Sequence, residues 1–263
     1  MSNPTTRYKP AGKPGLVSLA RALSKLGLAS RTVAVSMIEA GRVRVDGRVV
    51  MDPNLRINME RARLVVDEKP LGEAAKHYLA VNKPRGLVTT ARDEHDRATV
   101  YECLPDAGDA WLAPVGRLDK ASEGLILFTN DTAWAQRILD PASHLPKTYH
   151  VQVNRRLEEA DLARLRQGVT LEDGTVARAA AAGLLRSGEK NCWLEIVLHE
   201  GINRQIRRML VAMGAEVLRL VRVAIGPVTL GALPKGQNRR LTEQELLAIS
   251  EMLGKTKRGA QKK

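Results

Sequence analysis

Near the N-terminus, apolar residues recur at helical spacing in two short stretches. Leu19, Ala22, Leu23 and Leu26 form one stripe, opened by Ser18 and stopped at Gly27. Val33, Ala34, Met37 and Ile38 form the next, opened by Ser30 and stopped at Gly41. The period then changes to two: Val43, Val45 and Val49 flank Asp46-Gly47, a pair that supplies the positive φ angles of a tight turn. Residues 16–69 therefore predict helix, helix, hairpin. Residues 70–77, with Pro70, Gly72 and no apolar pattern, predict a linker.

From residue 78 to 254 short apolar or alternating runs predict strands at Tyr78 to Val81, Leu87 to Thr90, Leu125 to Phe128, Tyr149 to Val153, Leu194 to Leu198 and Leu220 to Val223. Helical patterns fall at Leu157 to Leu165, Ile202 to Met213 and Glu243 to Leu253, the last opened by Thr242 and Glu245 at capping-box spacing. Asn130 or Asp131 can cap a helix through Ala133, Gln136 and Leu139 that stops before Pro141. The expected class is α+β: a small helix-helix-hairpin module, then a larger domain with a largely antiparallel mixed sheet and flanking helices.

Composition agrees with a large domain plus a small one, since 263 residues at 44% hydrophobic can bury a substantial core. The opening MSNPTTRYKPAGKPG has no apolar signal core and no run of 18 apolar residues occurs, so a soluble cytoplasmic protein, away from membranes, is expected. Cys103 and Cys192 stand alone, and His77, His95, His144, His150 and His199 show no ligand spacing. His150 and His199 read as ordinary strand residues. Disulfide and metal readings are both poor, and no phosphate-binding glycine loop appears.

Charge changes the picture through its distribution. The net charge is +13; residues 1–15 and 255–263 carry eight Lys/Arg and no acid, and are expected to be disordered basic tails. Residues 16–69 hold ten Lys/Arg against six Asp/Glu, whereas residues 70–254 are nearly balanced, with twenty-four against twenty-three. The basic excess lies outside the larger domain, which suits one module that grips a polyanion and another that acts on it. Arg21, Arg31, Arg42 and Arg44 on the small module are the candidate RNA contacts.

The larger domain's candidate chemistry centres on GRLDKASEGLILFTND, Gly116 to Asp131. Here Asp119 sits in a loop ahead of a buried strand, two residues from Arg117. A turn carboxylate bonded to nearby N–H groups is the plain alternative. Tyr149 in KTYHVQV shares a strand face with Val151 and Val153, so a core role competes with a site role there. In EGINRQIRRM, a helix opened by Gly201 or Asn203 would carry Arg204, Arg207 and Arg208 in its first turns. There the dipole disfavours each cation by roughly 0.3–1 kcal/mol, so an anion should compensate.

These three segments, with NKPRG at Asn82 to Gly86 and LVRVAIGPVTLGALPKGQNRRLT at Leu220 to Thr242, closely resemble the RsuA/RluB/RluE/RluF-type ribosomal RNA pseudouridine synthases. The order of elements in residues 16–69 resembles the alpha-L RNA-binding module that often precedes their catalytic domain. The resemblance implies isomerisation of one uridine to pseudouridine without cofactor or metal. The partner it implies is ribosomal RNA or an assembling subunit, and the protein is expected to act as a monomer. It makes Asp119 the essential carboxylate, Tyr149 the residue stacked on uracil, and Arg207 the partner of the Asp119 carboxylate, with Arg204 and Arg208 free for phosphate. Arg117 would fill the gap left by the extruded base. Lys83 and Arg85 are phosphate contacts or plain turn residues. The motif wording leans toward the large subunit; the same chemistry on the small subunit and a noncatalytic assembly factor are the alternatives.

Overall fold

The computed structural model describes residues 15–71, 75–91, 97–104 and 111–260, with side chains up to residue 254. The chain divides into two compact units, residues 1–75 with 108–111 and residues 76–107 with 112–263. The basic N-terminal tail lies outside the described residues, apart from Gly15.

The first unit runs β1 (Leu16–Ser18), α1 (Leu19–Lys25), α2 (Arg31–Glu39), β2 (Val43–Val45), β3 (Arg48–Val49), β4 (Arg56–Asn58), β5 (Leu64–Val66) and β6 (Lys69–Pro70). Both helical stripes meet the hairpin in one core around Leu19, Leu23, Ile38, Val43 and Val66. Asp46 and Gly47 take φ of 50° and 83°, as the tight turn needs. Ser30 caps α2 by accepting from Val33 N at 3.1 Å. Ser18 makes no such bond, because the first N–H groups of α1 are met by backbone instead: Leu19 N donates to Leu55 O at 2.8 Å and Ala20 N to Pro53 O at 3.1 Å.

Two expected boundaries move. Pro70 belongs to the edge strand β6, paired with Val65, and Leu71 N donates to Leu64 O, so the first unit's bonding runs into the expected linker. At the other end the last helix continues to Ala260, through six residues of the expected tail.

The second unit begins with β7 (Tyr78–Lys83), β8 (Ala113–Val115), β9 (Glu123–Thr129), α3 (Thr132–Leu139) and β10 (Lys147–Val153). It continues through α4 (Glu159–Gln167), β11 (Val169–Thr170), β12 (Val176–Ala177), β13 (Ala181–Ser187), β14 (Cys192–Leu198) and α5 (Gln205–Ala212). It ends with β15 (Val217–Ile225), β16 (Val228–Thr229), β17 (Asn238–Arg240) and α6 (Glu243–Ala260). Nine of these strands make one sheet with the path β13-β14-β10-β15-β9-β7-β17, to which β16 adds on β15 and β8 on β9. Its pairings are antiparallel except for β15 with β9, so the fold is α+β with a mixed sheet. Leu87 to Thr90 forms no strand; Val88 makes a single bridge to Thr99, and the Thr89 hydroxyl is bonded to Leu118 instead.

Central strand β9 is buried along its whole length and supplies both faces of the core. Leu125 and Leu127 pack with Trp134 of α3 and Ile249 of α6, while Ile126 and Phe128 pack with Val81 and Val100. Asp131 caps α3, accepting from Ala133 N and Trp134 N at 3.1 and 3.0 Å. Asn130 accepts instead from His77 N at 2.8 Å. The sheet therefore holds the ends of β8, β9, β10 and β15 on a rigid frame.

Candidate active site

Asp119 lies in the connection between β8 and β9, whose antiparallel pairing, Val115 opposite Leu127, brings residues 116–122 back over the sheet. Side chains and backbone pin that connection at several points. Thr89 Oγ1 donates to Leu118 O at 2.8 Å and accepts from Leu118 N at 3.3 Å. Leu118 is buried beside Phe128 and Val100. Gly86 N donates to Lys120 O, and Ser122 N to Asp119 O, at 2.8 and 2.9 Å.

Lys83 does most of the pinning. Expected as a phosphate contact or turn residue, it is fully buried at the end of β7, and its ammonium donates to Ser122 O, Pro84 O and Asp119 O at 2.7, 3.1 and 3.2 Å. It is therefore not available to phosphate. Burial pulls its pKa down to about 8. The local sequence explains this inward course: Lys83 continues the β7–β9 pairing, opposite Gly124, where no side chain blocks it. Arg85, in the turn beyond, is exposed.

The Asp119 carboxylate is about a third exposed (36%) and faces a cavity of about 420 Å³, within the usual range for small-molecule sites. Tyr149, partly buried on β10, lines the same cavity and packs against the apolar residues on either side of it. The structure thus brings Asp119, Tyr149, Arg117, Arg204 and Arg207 together, with Arg117 exposed.

The arginine pairing differs from the sequence expectation. Arg204, not Arg207, meets the carboxylate: its Nη1 is 3.4 Å from Asp119 Oδ2. Arg207 donates to the carbonyls of Ala121 at 3.1 Å and Val217 at 3.4 Å, and its enclosed Nε has no partner among the described residues. The cause is where the helix begins. Arg204 takes the left-handed conformation, φ 51°, as N-cap, so α5 starts at Gln205, later than Gly201 or Asn203 would start it. That turn aims Arg204 at the cavity and leaves Arg207 against the sheet side of the Asp119 loop. Burial most strongly disfavours the Arg207 charge, Arg204 adds to this, and Asp119 opposes it, so Arg207 remains within electrostatic reach of the carboxylate. Arg208 is also not free: it pairs with Asp173 at 2.6 Å, and with Thr175 this holds the Asp173 carboxyl down at about 2.

Several cavity residues escaped the sequence reading. Arg222 is nearly buried, Lys147 stands two positions before Tyr149, and His199, one residue past β14, lines the cavity too. Lys147 and Arg222 sit inside KTYHVQV and LVRVAIG, so position within a motif was the available signal. Beside the loop, Glu123 is buried and accepts from Arg219 at 2.9 Å and Lys235 at 2.5 Å. Burial works against its ionisation, but these two bonds outweigh it and hold its pKa below the ordinary value.

On the first unit Arg21, Arg31, Arg42 and Arg44 are all exposed. Arg42 is committed to Asp67, with Nε 2.8 Å from Oδ1. Among the described residues Arg44 reaches only the Gly47 carbonyl, at 3.4 Å, and Arg21 and Arg31 show no side-chain bond.

Residues 77–212 match the family model described as RNA pseudouridylate synthase, and residues 17–61 match the S4 domain. An Aquifex aeolicus protein named an uncharacterized RNA pseudouridine synthase is 39% identical over 239 residues, 90% of this chain and 95% of its own. Ribosomal large subunit pseudouridine synthase B of Salmonella typhimurium is 39% identical over 247 residues, 90% of this chain and 82% of its own. A solved structure described as a crystal structure of pseudouridylate synthase superposes with a TM-score of 0.62 at 28% identity, covering 89% of this chain and 99% of that one.

Proposed function

Because this chain belongs to the RNA pseudouridylate synthase family, we propose that its cavity isomerises one uridine of large-subunit ribosomal RNA to pseudouridine. The observation that carries this reading is the Asp119 carboxylate, held by a backbone-pinned loop at the mouth of the cavity that Tyr149 lines. A uridine within structured RNA reaches such a cavity only by extrusion from the stack. Tyr149 then stacks on the uracil, and exposed Arg117 occupies the space that the base has left.

Asp119 acts on the ribose of the extruded nucleotide, as nucleophile at carbon 1 or base at carbon 2, while the bond to uracil N1 breaks. The base turns and rejoins through carbon 5. Arg204 covers the carboxylate, with its Nη1 3.4 Å from Asp119 Oδ2. That pair is long and half exposed, worth about 0–1 kcal/mol, so an incoming nucleotide displaces it readily. Arg207 positions the loop through the Ala121 carbonyl. Arg85 and, on the first unit, Arg21, Arg31 and Arg44 contact phosphate. The same reading has the protein work as a monomer in the cytoplasm, on ribosomal RNA or an assembling subunit.

Asp119→Asn in the full chain should abolish pseudouridine formation on ribosomal RNA while affinity for the RNA stays within about twofold, because one uncharged amide replaces a carboxylate of the same shape. Turnover near that of the wild type would refute the role given to Asp119. Mapping pseudouridines in ribosomal RNA from cells with and without the protein tests the choice of subunit.

A further inference from the structure

The cavity holds more positive charge than its carboxylates can use. Arg117, Lys147, Arg204, Arg207 and Arg222 line it, against Asp119 and Glu200. Asp119 meets Arg204, and Glu200 accepts from Gln205 Nε2 at 3.0 Å. Among the described residues Lys147 and Arg222 are paired with no acid. Arg222 is only 5% exposed; its Nε donates to Leu125 O at 2.7 Å, and its enclosed Nη2 has no hydrogen-bond partner among the described residues. Lys147 lies half buried on the strand face of Tyr149, and its ammonium meets no acceptor among the described residues. Burial and the Arg222 charge both work against its protonation, so the two cations feel one another. Two neighbouring cations with no acidic partner among the described residues favour negative charge between them.

The depth of the pair selects the ligand group. Arg117 is exposed and Asp119 about a third exposed, whereas Arg222 lies on the inner wall, and Tyr149 is the residue opposite it across β10 and β15. A phosphate joins two nucleotides and cannot reach that wall without dragging the chain in after it. A base is an end group and can. We propose that Lys147 and Arg222 hold the negative charge that develops on uracil as its bond to ribose breaks, a step that rests on the function proposed above.

In that step the N1–C1′ bond breaks and its electron pair leaves with the base, which becomes an anion with charge spread over N1, O2 and O4. The sugar in turn gains a bond from the Asp119 oxygen at C1′ or gives that carboxylate its C2′ proton. No oxidant or co-reactant is required. A half turn about the N3–C6 axis exchanges N1 with C5 and O2 with O4. A pair of cations meets an oxygen at the same place before and after the turn, so it holds the free base without opposing its rotation. Donors aimed at where charge develops act most strongly when water is excluded, as on this inner wall.

The test is single-turnover reaction of the full chain on ribosomal RNA carrying uridine, or 5-fluorouridine, at the target. Fluorine stabilises the departing anion, so the protein's cations matter less; with no proton to lose from carbon 5, the reaction stops at the rejoined product, and loss of the original nucleoside is the readout. Lys147→Met should slow uridine by about 100-fold and 5-fluorouridine by about tenfold or less, with RNA affinity nearly unchanged. Lys147→Arg should restore most of the rate. Arg222→Lys, which keeps the buried charge, should show the wild-type ratio between the two substrates. Equal losses on both substrates would make the pair structural, and weaker binding with a normal rate once bound would make it a phosphate contact; either overturns the proposal. A wild-type chain that leaves every uridine intact overturns the proposed function along with it.

Discussion

Arg204 and Arg207 stand one helical turn apart and meet the Asp119 loop in different ways, one by a long ion pair and one by carbonyl bonds. The exposed pair is worth about 0–1 kcal/mol, so Arg204→Gln should change the single-turnover rate by less than about fivefold. Bonds from a charged donor to partly buried carbonyls are worth about 1.5–3 kcal/mol, so Arg207→Gln should slow the bound complex by about 10–100-fold with little loss of affinity. The reverse ranking would show that the Arg204 pair, and not the carbonyl anchor, orders the carboxylate. Lys83 gives a second residue-scale test. Lys83→Met leaves three carbonyls without their shared donor, at about 1–3 kcal/mol for a group left unsatisfied, and should lower the melting temperature and the chemical step together. Its pKa, about 8 when folded against 10.5 in its ordinary state, means that the folded chain binds fewer protons than the unfolded one between those values. Wild-type stability should therefore gain from this site as pH rises from 8 to 10.5, and unfolding titrations of Lys83→Met should lack that gain.

At the scale of elements, the parallel pairing of β9 with β15 sets the distance between the Asp119 loop and Arg222, and Gly124 makes that pairing possible. Its φ is 101°, and a Cβ there would lie 2.3 Å from the Arg222 carbonyl oxygen and 2.8 Å from its nitrogen. Gly124→Ala must push the two strands apart, at about 1–3 kcal/mol or more, and the thermal midpoint should fall accordingly. An unchanged midpoint would mean that the sheet gives way at no cost. The same region shows what the sequence makes legible. Asp119 was readable because its signal is local: a loop carboxylate before an apolar strand, inside a recognisable motif. The Arg204 contact was not, because it depends on a left-handed N-cap that residue type alone does not announce. Lys83 was misread because a buried lysine is stabilised by carbonyls that come from a loop some 36 to 39 residues away in sequence. Strand β13 was missed because AAGLLRS breaks alternation at a register shift between Leu184 and Arg186. The charge pattern drew attention to phosphate contacts, whereas Arg208 and Arg42 are occupied by Asp173 and Asp67.

At the scale of the whole molecule, the net charge of +13 is divided unevenly, with an excess of four over residues 16–69 and near balance over 70–254. Phosphate contacts release counterions, so each one lost flattens the slope of log affinity against log salt by roughly 0.7 to 0.9 units. If the first unit grips ribosomal RNA, its exposed and unengaged arginines should carry that slope. Among the described residues Arg21, Arg31 and Arg44 have one weak backbone contact between them, whereas Arg42 is tied to Asp67 at 2.8 Å and is largely neutralised. Replacing Arg21, Arg31 and Arg44 together by Gln in the full chain should flatten the slope by about 2 to 3 units and weaken binding most at low salt, while the rate once bound stays near that of wild type. Arg42→Gln alone should change the slope by well under one unit. Equal slopes for the triple variant and the wild type would mean that the RNA is held elsewhere, and a larger effect from Arg42→Gln would mean that the Asp67 pair opens on binding.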